Sequence, residues 1–161
     1  MSGGTMDARG LDRDALARAC ADAMWENDRA SQGLGMEIIE VGPGRAVLAM
    51  TVGETMVNGH GICHGGFVFT LADSAFAFAC NSHNQNTVAS HCSVSFLRPG
   101  RLGERLVATA VERWREGRSG ITDVTVVNEA GETVAEFRGN SRTIRGTLLP
   151  EGEAAAGGPA A

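Results

Sequence analysis

The sequence predicts an α+β fold in which an antiparallel sheet curls around one apolar helix, and three observations predict it. The segment from Phe67 to Cys80 is apolar nearly all round at helical spacing, which is typical of a helix covered by other elements. Four alternating, strand-like runs separated by turn residues follow this segment. Two further strand-like runs precede it. A sheet packed on a helix buries the apolar surface of both.

The N-terminal part predicts one amphipathic helix ahead of the strands. Residues 1–10 are rich in glycine, and we expect them to be flexible. From Asp12 or Asp14 to about Asn27, apolar residues recur at helical spacing behind acidic residues, which favours a helix. The Ser-Gln-Gly sequence at 31–33 should end this region.

The strand-like runs predict an antiparallel sheet. The first two runs, 36–41 and 45–52, flank Gly42-Pro43-Gly44 and predict a hairpin. Turn sequences also separate the four later runs, so we expect three hairpins in succession over 87–97, 104–114, 121–128 and 133–144. The uncovered helix flank and edge strand predict at least a dimer. Residues 147–161 have low complexity and are expected to be disordered, which leaves one domain over 11–146.

Composition and charge exclude several classes of protein. The net charge is −5 without a block of like charges, so no nucleic-acid groove and no basic membrane-binding face is expected. No apolar run is long enough to span a bilayer, and the first residues lack the apolar core of a signal peptide. We therefore expect a cytoplasmic protein. The cysteines lack a disulfide-framework spacing and should be reduced thiols: Cys20, Cys63, Cys80 and Cys92.

Asp73 is the strongest candidate for a functional residue. It is the only formally charged residue between Glu54 and Arg98. Helical periodicity places it on a narrow stripe of polar or small residues along the apolar helix, with Thr70, Ser74, Ala77 and Asn81. A carboxylate removed from water is costly, so a protein that retains one usually uses it. The alternative is a structural carboxylate held by Ser, Thr or backbone donors.

Several motifs resemble one enzyme family. Met56–Gly61, Cys63–Gly66, Leu71–Asp73 and Phe96–Gly100 closely resemble the hotdog-fold acyl-CoA thioesterases of the phenylacetic-acid-degradation branch, called PaaI. The similarity spans about residues 15–147. It implies a hotdog fold, dimers that commonly form tetramers, and hydrolysis of phenylacetyl-CoA or hydroxyphenylacetyl-CoA to free acid and coenzyme A in phenylacetate degradation. It implies no cofactor, because coenzyme A is part of the substrate. The alternatives are a non-catalytic acyl-CoA-binding hotdog module and a hotdog dehydratase or hydratase.

The resemblance also implies roles for individual residues. Asp73 would be the nucleophile or the general base, and the Gly65 backbone would donate to the thioester oxygen. Asn58 would position water or substrate. His64 would brace the loop and polarise the site, although bracing alone is the alternative. In this family the Asp of one protomer faces the glycine loop of the other.

The distance along the helix favours a shared site independently of the resemblance. The first amides of a helix are unpaired and lie at the positive end of its dipole, so they suit an oxygen on which negative charge builds. Asp73 lies about 12 Å along the axis from that end. This is too far for one protomer to attack a carbonyl held at its own helix N-terminus.

One departure from a related branch concerns the strand after the helix. That branch places a water-orienting Ser where this sequence has Ala89. Ser90 is adjacent but should face the opposite side of the strand, so a Ser-assisted step is not expected.

Candidates for binding coenzyme A lie in the loop and on two strands. Arginine matches phosphate geometry, and solvated strand ends are the alternative reading. These candidates are Gly66, Arg98, Pro99, Asn140, Ser141 and Arg142, with Arg113, Arg115 and Arg118 as weaker ones. His60, Cys63 and His64 do not complete a ligand set at structural-zinc spacing, so no metal site is predicted.

Overall fold

A computed structural model describes residues 6–7 and 9–150 of the chain. Its helices are α1 (Arg13–Trp25), α2 (Arg29–Gly33) and α3 (Gly65–Cys80). Its strands are β1 (Glu37–Gly42), β2 (Arg45–Thr51), β3 (Thr87–Phe96), β4 (Arg105–Glu116), β5 (Ser119–Val127) and β6 (Thr133–Thr143). The order of elements therefore agrees with the prediction, including the N-terminal helix and the long apolar helix before four strands.

The six strands form one antiparallel sheet in the order β1-β2-β4-β5-β6-β3. The predicted hairpins β1–β2, β4–β5 and β5–β6 are present, but the predicted hairpin between β3 and β4 is wrong. β3 pairs with β6, and β4 pairs with β2. Turn residues indicate that a chain reverses, but they do not determine which strand becomes its neighbour.

The connection between β3 and β4 packs against the glycine loop before α3. Gly100 is buried, and its carbonyl oxygen accepts a hydrogen bond of 2.9 Å from the Cys63 amide. A Cβ at Gly100 would lie 3.3 Å from the Cβ of Cys63 and 3.2 Å from Leu106. The Pro99-Gly100 turn, which follows β3, is thus held against the loop before α3. The chain then crosses the sheet to begin β4.

Helix α3 fills the concave side of the sheet and forms the centre of the core. Phe76 and Phe137 of β6 pack with ring centroids 5.8 Å apart. A Cβ at Gly139 would lie 2.5 Å from the Phe76 ring, so only glycine allows this approach of helix and sheet. The other fully buried residues of α3 include Leu71, Ala72, Ala75 and Ala79.

The N-terminal region contains two helices where one was predicted. The Asp12 side chain caps α1 by accepting a hydrogen bond from the Ala15 amide, as expected for a helix start. Residues 31–33 end the helical region, as predicted, although α1 itself already ends at Trp25. They lie in the short helix α2, which Asp28 caps and which Ser31 joins to Ser74 of α3 through a 2.9 Å hydrogen bond.

Residues 147–150, which follow the predicted domain boundary at residue 146, contact the rest of the chain. Leu149 donates its amide to the Asn84 side chain at 2.8 Å, and Arg9 donates to the Pro150 carbonyl at 3.0 Å. Arg9 lies in the predicted flexible N-terminus and also pairs with Asp7. The rest of the predicted tail, 151–161, and residues 1–5 and 8 lie outside the described residues. Within the described ranges, no helix has the length and apolarity needed to cross a membrane.

Candidate active site

Asp73 lies two turns into α3 and lines a cleft of about 430 Å³. The other polar side chains of α3 have hydrogen-bond partners. Thr70 donates to the carbonyl one turn earlier, Ser74 bonds to Ser31, and Asn81 bonds to the first residue of β3. In the part of the chain that the structure describes, the Asp73 carboxyl has neither a hydrogen bond nor an ion pair. The structural reading, in which Ser, Thr or backbone donors hold this carboxylate, therefore lacks support.

The surroundings of Asp73 favour its neutral form. Burial raises the pKa of the Asp73 carboxyl above its ordinary value. Burial, followed by the charge of Asp73, also raises the pKa of the nearby Cys92 thiol. A carboxylate with a raised pKa is a stronger base when ionised, which suits it to taking a proton or attacking a carbonyl.

Asn58 organises the glycine loop that precedes α3. Its side-chain oxygen accepts hydrogen bonds from the His60 amide at 2.9 Å and the Ile62 amide at 3.4 Å. Its backbone amide donates to the Ile62 carbonyl, and Gly61 at φ +73° completes the turn. Loop bracing by Asn58 is therefore visible in the contacts, and its proposed role toward water or substrate stays a prediction.

His64 is the N-cap of α3. Its Nδ1 accepts a hydrogen bond of 2.9 Å from the Gly66 amide, so this nitrogen carries no proton in the geometry present. A Cβ at Gly66 would lie 3.1 Å from the same Nδ1. The contacts therefore place His64 and Gly66 in the cap, where they hold the first turn of the helix. A polarising role for His64 stays a prediction.

Gly65 lies in a second cleft of about 500 Å³, with Asn58, Phe96, Arg98 and Pro99 also in its wall. A Cβ at Gly65 would lie 2.9 Å from the Phe96 ring. Among the described residues, the Gly65 amide has no hydrogen-bond acceptor, whereas the Gly66 amide is occupied by His64. The Gly65 amide is thus the donor at this helix end that a ligand oxygen can use.

The two clefts are separate within one protomer. No described residue lines both of them. The Asp73 cleft contains the start of β3, Thr87–Ala89, and the Gly65 cleft contains its end at Phe96. Their separation agrees with the spacing of Asp73 and Gly65 along α3.

The candidate residues for coenzyme A do not form one cluster. Arg98 and Pro99 share the Gly65 cleft, where Arg98 also lies 3.8 Å from Glu132. On β6, Ser141 is 6% exposed and faces the helix. Asn140 and exposed Arg142 flank it on the opposite face of the strand, and none of the three lines either cleft. Neighbouring residues of a strand face opposite sides, so these three cannot all reach one ligand from one face, and a role for each toward coenzyme A stays a prediction.

Ala89 and Ser90 lie as the sequence predicts. Ala89 lines the Asp73 cleft. Ser90 lies at an irregularity in the β3–β6 register and donates its hydroxyl to the Asn140 carbonyl at 3.0 Å, away from that cleft.

Sequence reasoning missed most of the apolar wall around Asp73. The missed residues of this wall include Met24 of α1, and Ile144 and Leu148 from the region after β6. Phe96, which covers Gly65, was also missed as a site residue. The pair of leucines at 148–149 was the available signal, because the rest of residues 147–161 is mostly Ala, Gly and Pro and contains no other large apolar side chain.

Neither cleft contains a histidine among its described lining residues. A dehydratase or hydratase of this fold would need a His base, so the site does not favour that alternative. Within the described ranges, no three or more His, Cys, Asp or Glu side chains are grouped to hold a metal ion.

The antiparallel sheet around a central helix, with a carboxylate on that helix and a free amide at its start, defines a hotdog-type hydrolase site. The family model of the thioesterase superfamily matches residues 60–135. The acyl-coenzyme A thioesterase PaaI of Escherichia coli K12 is 50% identical over 131 residues, which cover 81% of this chain and 94% of that protein.

Solved structures agree with this relationship. The E. coli PaaI protein from the phenylacetic acid degradation operon superposes with a TM-score of 0.83 at 48% identity, covering 84% of this chain and 99% of that one. The TT0310 protein of Thermus thermophilus superposes with a TM-score of 0.71 at 39% identity, covering 73% and 99%. The chain belongs to the thioesterase superfamily, in its PaaI-like hotdog branch. The predictions of the fold, the family and a thioester hydrolase are confirmed.

Proposed function

We propose that this protein hydrolyses acyl-CoA thioesters with arylacetyl groups, such as phenylacetyl-CoA or hydroxyphenylacetyl-CoA, in phenylacetate degradation. The observation that carries the proposal is the pair of complementary clefts. Within the described residues, one contains a desolvated carboxylate without a partner, and the other a helix N-terminal amide without an acceptor. The E. coli relative, half identical in sequence, is itself named for acyl-CoA thioester hydrolysis.

A dimer through β3 brings the two clefts together. β3 pairs with β6 along one edge, and its other edge has no partner in the described part of the chain. Exposed edges favour pairing with another strand. If β3 pairs antiparallel with the β3 of a second copy, the start of one strand meets the end of the other. The Asp73 cleft of one protomer then adjoins the Gly65 cleft of its partner.

This arrangement accounts for the chemistry. The Gly65 amide of one protomer stabilises the oxygen of the thioester carbonyl as negative charge develops on it. Asp73 of the other protomer either takes a proton from a water molecule that attacks that carbonyl, or attacks the carbonyl itself to form an anhydride that water then hydrolyses. The C–S bond breaks, coenzyme A leaves as the thiolate, and the acid is released. Because a thiolate is a good leaving group, the reaction needs no strong general acid, and we propose no metal and no cofactor.

Two further parts of the proposal concern the assembly and the location. We propose that the dimers associate into a homotetramer, as the family resemblance implies. We also propose a cytoplasmic enzyme that acts on a small-molecule substrate, with neither nucleic acid nor membrane as a partner. Sedimentation at micromolar concentration tests the assembly, because a monomer would contradict the shared site.

Thiol release from phenylacetyl-CoA tests the function. We expect prompt release by the protein and a loss of about 10²- to 10⁴-fold in kcat for Asp73→Asn. Asp22→Asn changes an exposed carboxylate of α1 and should keep full activity. If the protein binds phenylacetyl-CoA without releasing thiol, the proposal is wrong and the protein is a binding module.

A further inference from the structure

The region after β6 forms part of the wall of the Asp73 cleft. We call residues 145–150 the C-terminal strap. Leu148 of the strap lines the cleft together with Ile144, which immediately precedes it. Met24, Phe76 and Val88 complete the apolar side of the same cleft. A strap residue therefore shares one cavity with the carboxylate of the site.

Two asparagines of the connector between α3 and β3 hold the strap in place. The Asn86 carbonyl accepts from the Ile144 amide at 2.7 Å, and the Asn86 side chain donates to the Arg145 carbonyl at 3.2 Å. The Asn84 side chain accepts from the Leu149 amide at 2.8 Å. Gly146 adopts φ +93°, and a Cβ there would lie 2.8 Å from the Asn86 side chain. The strap thus has one defined path over the cleft.

The composition of the cleft indicates which part of a substrate it takes. Its volume of about 430 Å³ is within the range of small-molecule sites, about 300 to 1,000 Å³. Its wall is mostly apolar around the Asp73 carboxyl. An acyl group whose carbonyl carbon is within reach of that carboxyl has an apolar surface on which to place its hydrocarbon part.

We propose that the C-terminal strap sets the acyl-group preference of the enzyme, with Leu148 limiting how large an acyl group the Asp73 cleft accepts. This inference rests on the proposed function, because it concerns the substrate of the same site. Among the described residues, the strap follows β6 directly and is held to the rest of the chain by a few hydrogen bonds. A change in Leu148 can therefore alter the cleft without altering the core.

Two substrates that differ in acyl length test the proposal. For each variant, kcat/KM is measured with phenylacetyl-CoA and with 4-phenylbutyryl-CoA. The measured quantity is the ratio of kcat/KM for 4-phenylbutyryl-CoA to kcat/KM for phenylacetyl-CoA. We expect Leu148→Ala to raise this ratio by about tenfold or more, because a site discriminates about 10- to 200-fold per methylene. Leu148→Phe should lower the same ratio.

The adjacent Leu149 provides a matched control. It is half-buried, belongs to the same segment and does not line the cleft, so Leu149→Ala should leave the ratio unchanged. Asn84→Gly removes the acceptor of the Leu149 amide while allowing the positive φ of 56° at this position. Loosening the strap in this way should raise the ratio, as Leu148→Ala does.

The outcomes separate this proposal from the proposed function. If the unaltered protein hydrolyses acyl-CoA thioesters but Leu148→Ala and Leu149→Ala give the same ratio, the role of the strap is wrong and the enzyme activity stands. If the unaltered protein hydrolyses neither thioester, the proposed function is wrong, and the inference about the strap is wrong with it.

Discussion

Replacing Gly65 by alanine should abolish most activity while changing stability little. The new Cβ would lie 2.9 Å from Cζ of Phe96. Ordinary carbon contacts are about 3.5–4.0 Å, so the ring must move by roughly 0.6–1.1 Å. Phe96 is 53% exposed within one protomer, so contacts inside that protomer leave the ring room to move. The methyl group also occupies the approach to the Gly65 amide, and losing one such donor costs about 10²- to 10³-fold in kcat.

The assay is thiol release from phenylacetyl-CoA, with the melting temperature measured in parallel. Gly59→Ala is the matched control in the same loop, because a Cβ there meets nothing within 4 Å. The double variant Gly65→Ala/Phe96→Ala is compared with Phe96→Ala alone. Removing the ring relieves the steric conflict but leaves the methyl group at the amide, so activity should stay low. Full activity of Gly65→Ala, or recovery in the double variant, would refute the role of this amide.

Two other substitutions test the burial of polar and apolar groups. Because burial raises the pKa of Asp73, its protonated form is favoured in the folded state, and the stability it provides at low pH is lost as pH rises through that pKa. Asp73→Asn should therefore raise the free energy of unfolding at pH 7 by about 0.5–2 kcal/mol. This gain should vanish at acidic pH. Urea titrations at both pH values measure it, and an equal gain at the two would contradict the account. The acidic limb of kcat against pH should lie above the range of an ordinary aspartate, and a limb within that range would argue against a desolvated base. Gly139→Ala places a Cβ 2.5 Å from Phe76 and should cost about 1–3 kcal/mol in the same titrations. Gly33→Ala, where a Cβ meets nothing within 4 Å, is its control, and an equal effect of the two would contradict the packing account.

The sequence predicted most of the helices and strands and singled out Asp73 as a candidate, because both depend on local patterns. The apolar periodicity of α3 and the isolation of Asp73 are visible without knowing what packs against them. The turn sequences likewise located the strand ends. The partner of β3 could not be predicted in this way, since Pro99-Gly100 has ordinary turn chemistry but serves a crossover.

The rest of the site depends on contacts between distant parts of the chain. Leu148 lines the Asp73 cleft only because Asn84 and Asn86 hold the strap, and nothing in the composition of the tail indicates those hydrogen bonds. By contrast, strand periodicity alone predicts that Ser141 and Arg142 face opposite sides of β6.

The central claim is that Asp73 and Gly65 act together only across two protomers. Mixing the Asp73→Asn and Gly65→Ala variants under conditions of subunit exchange tests it directly. Each mixed dimer then has one site with both residues intact and one with neither. We predict that activity recovers to about a quarter of the unaltered enzyme at equal mixing of a two-fold dimer. Activity that stays at the level of the separate variants, despite demonstrated exchange, would contradict the shared site.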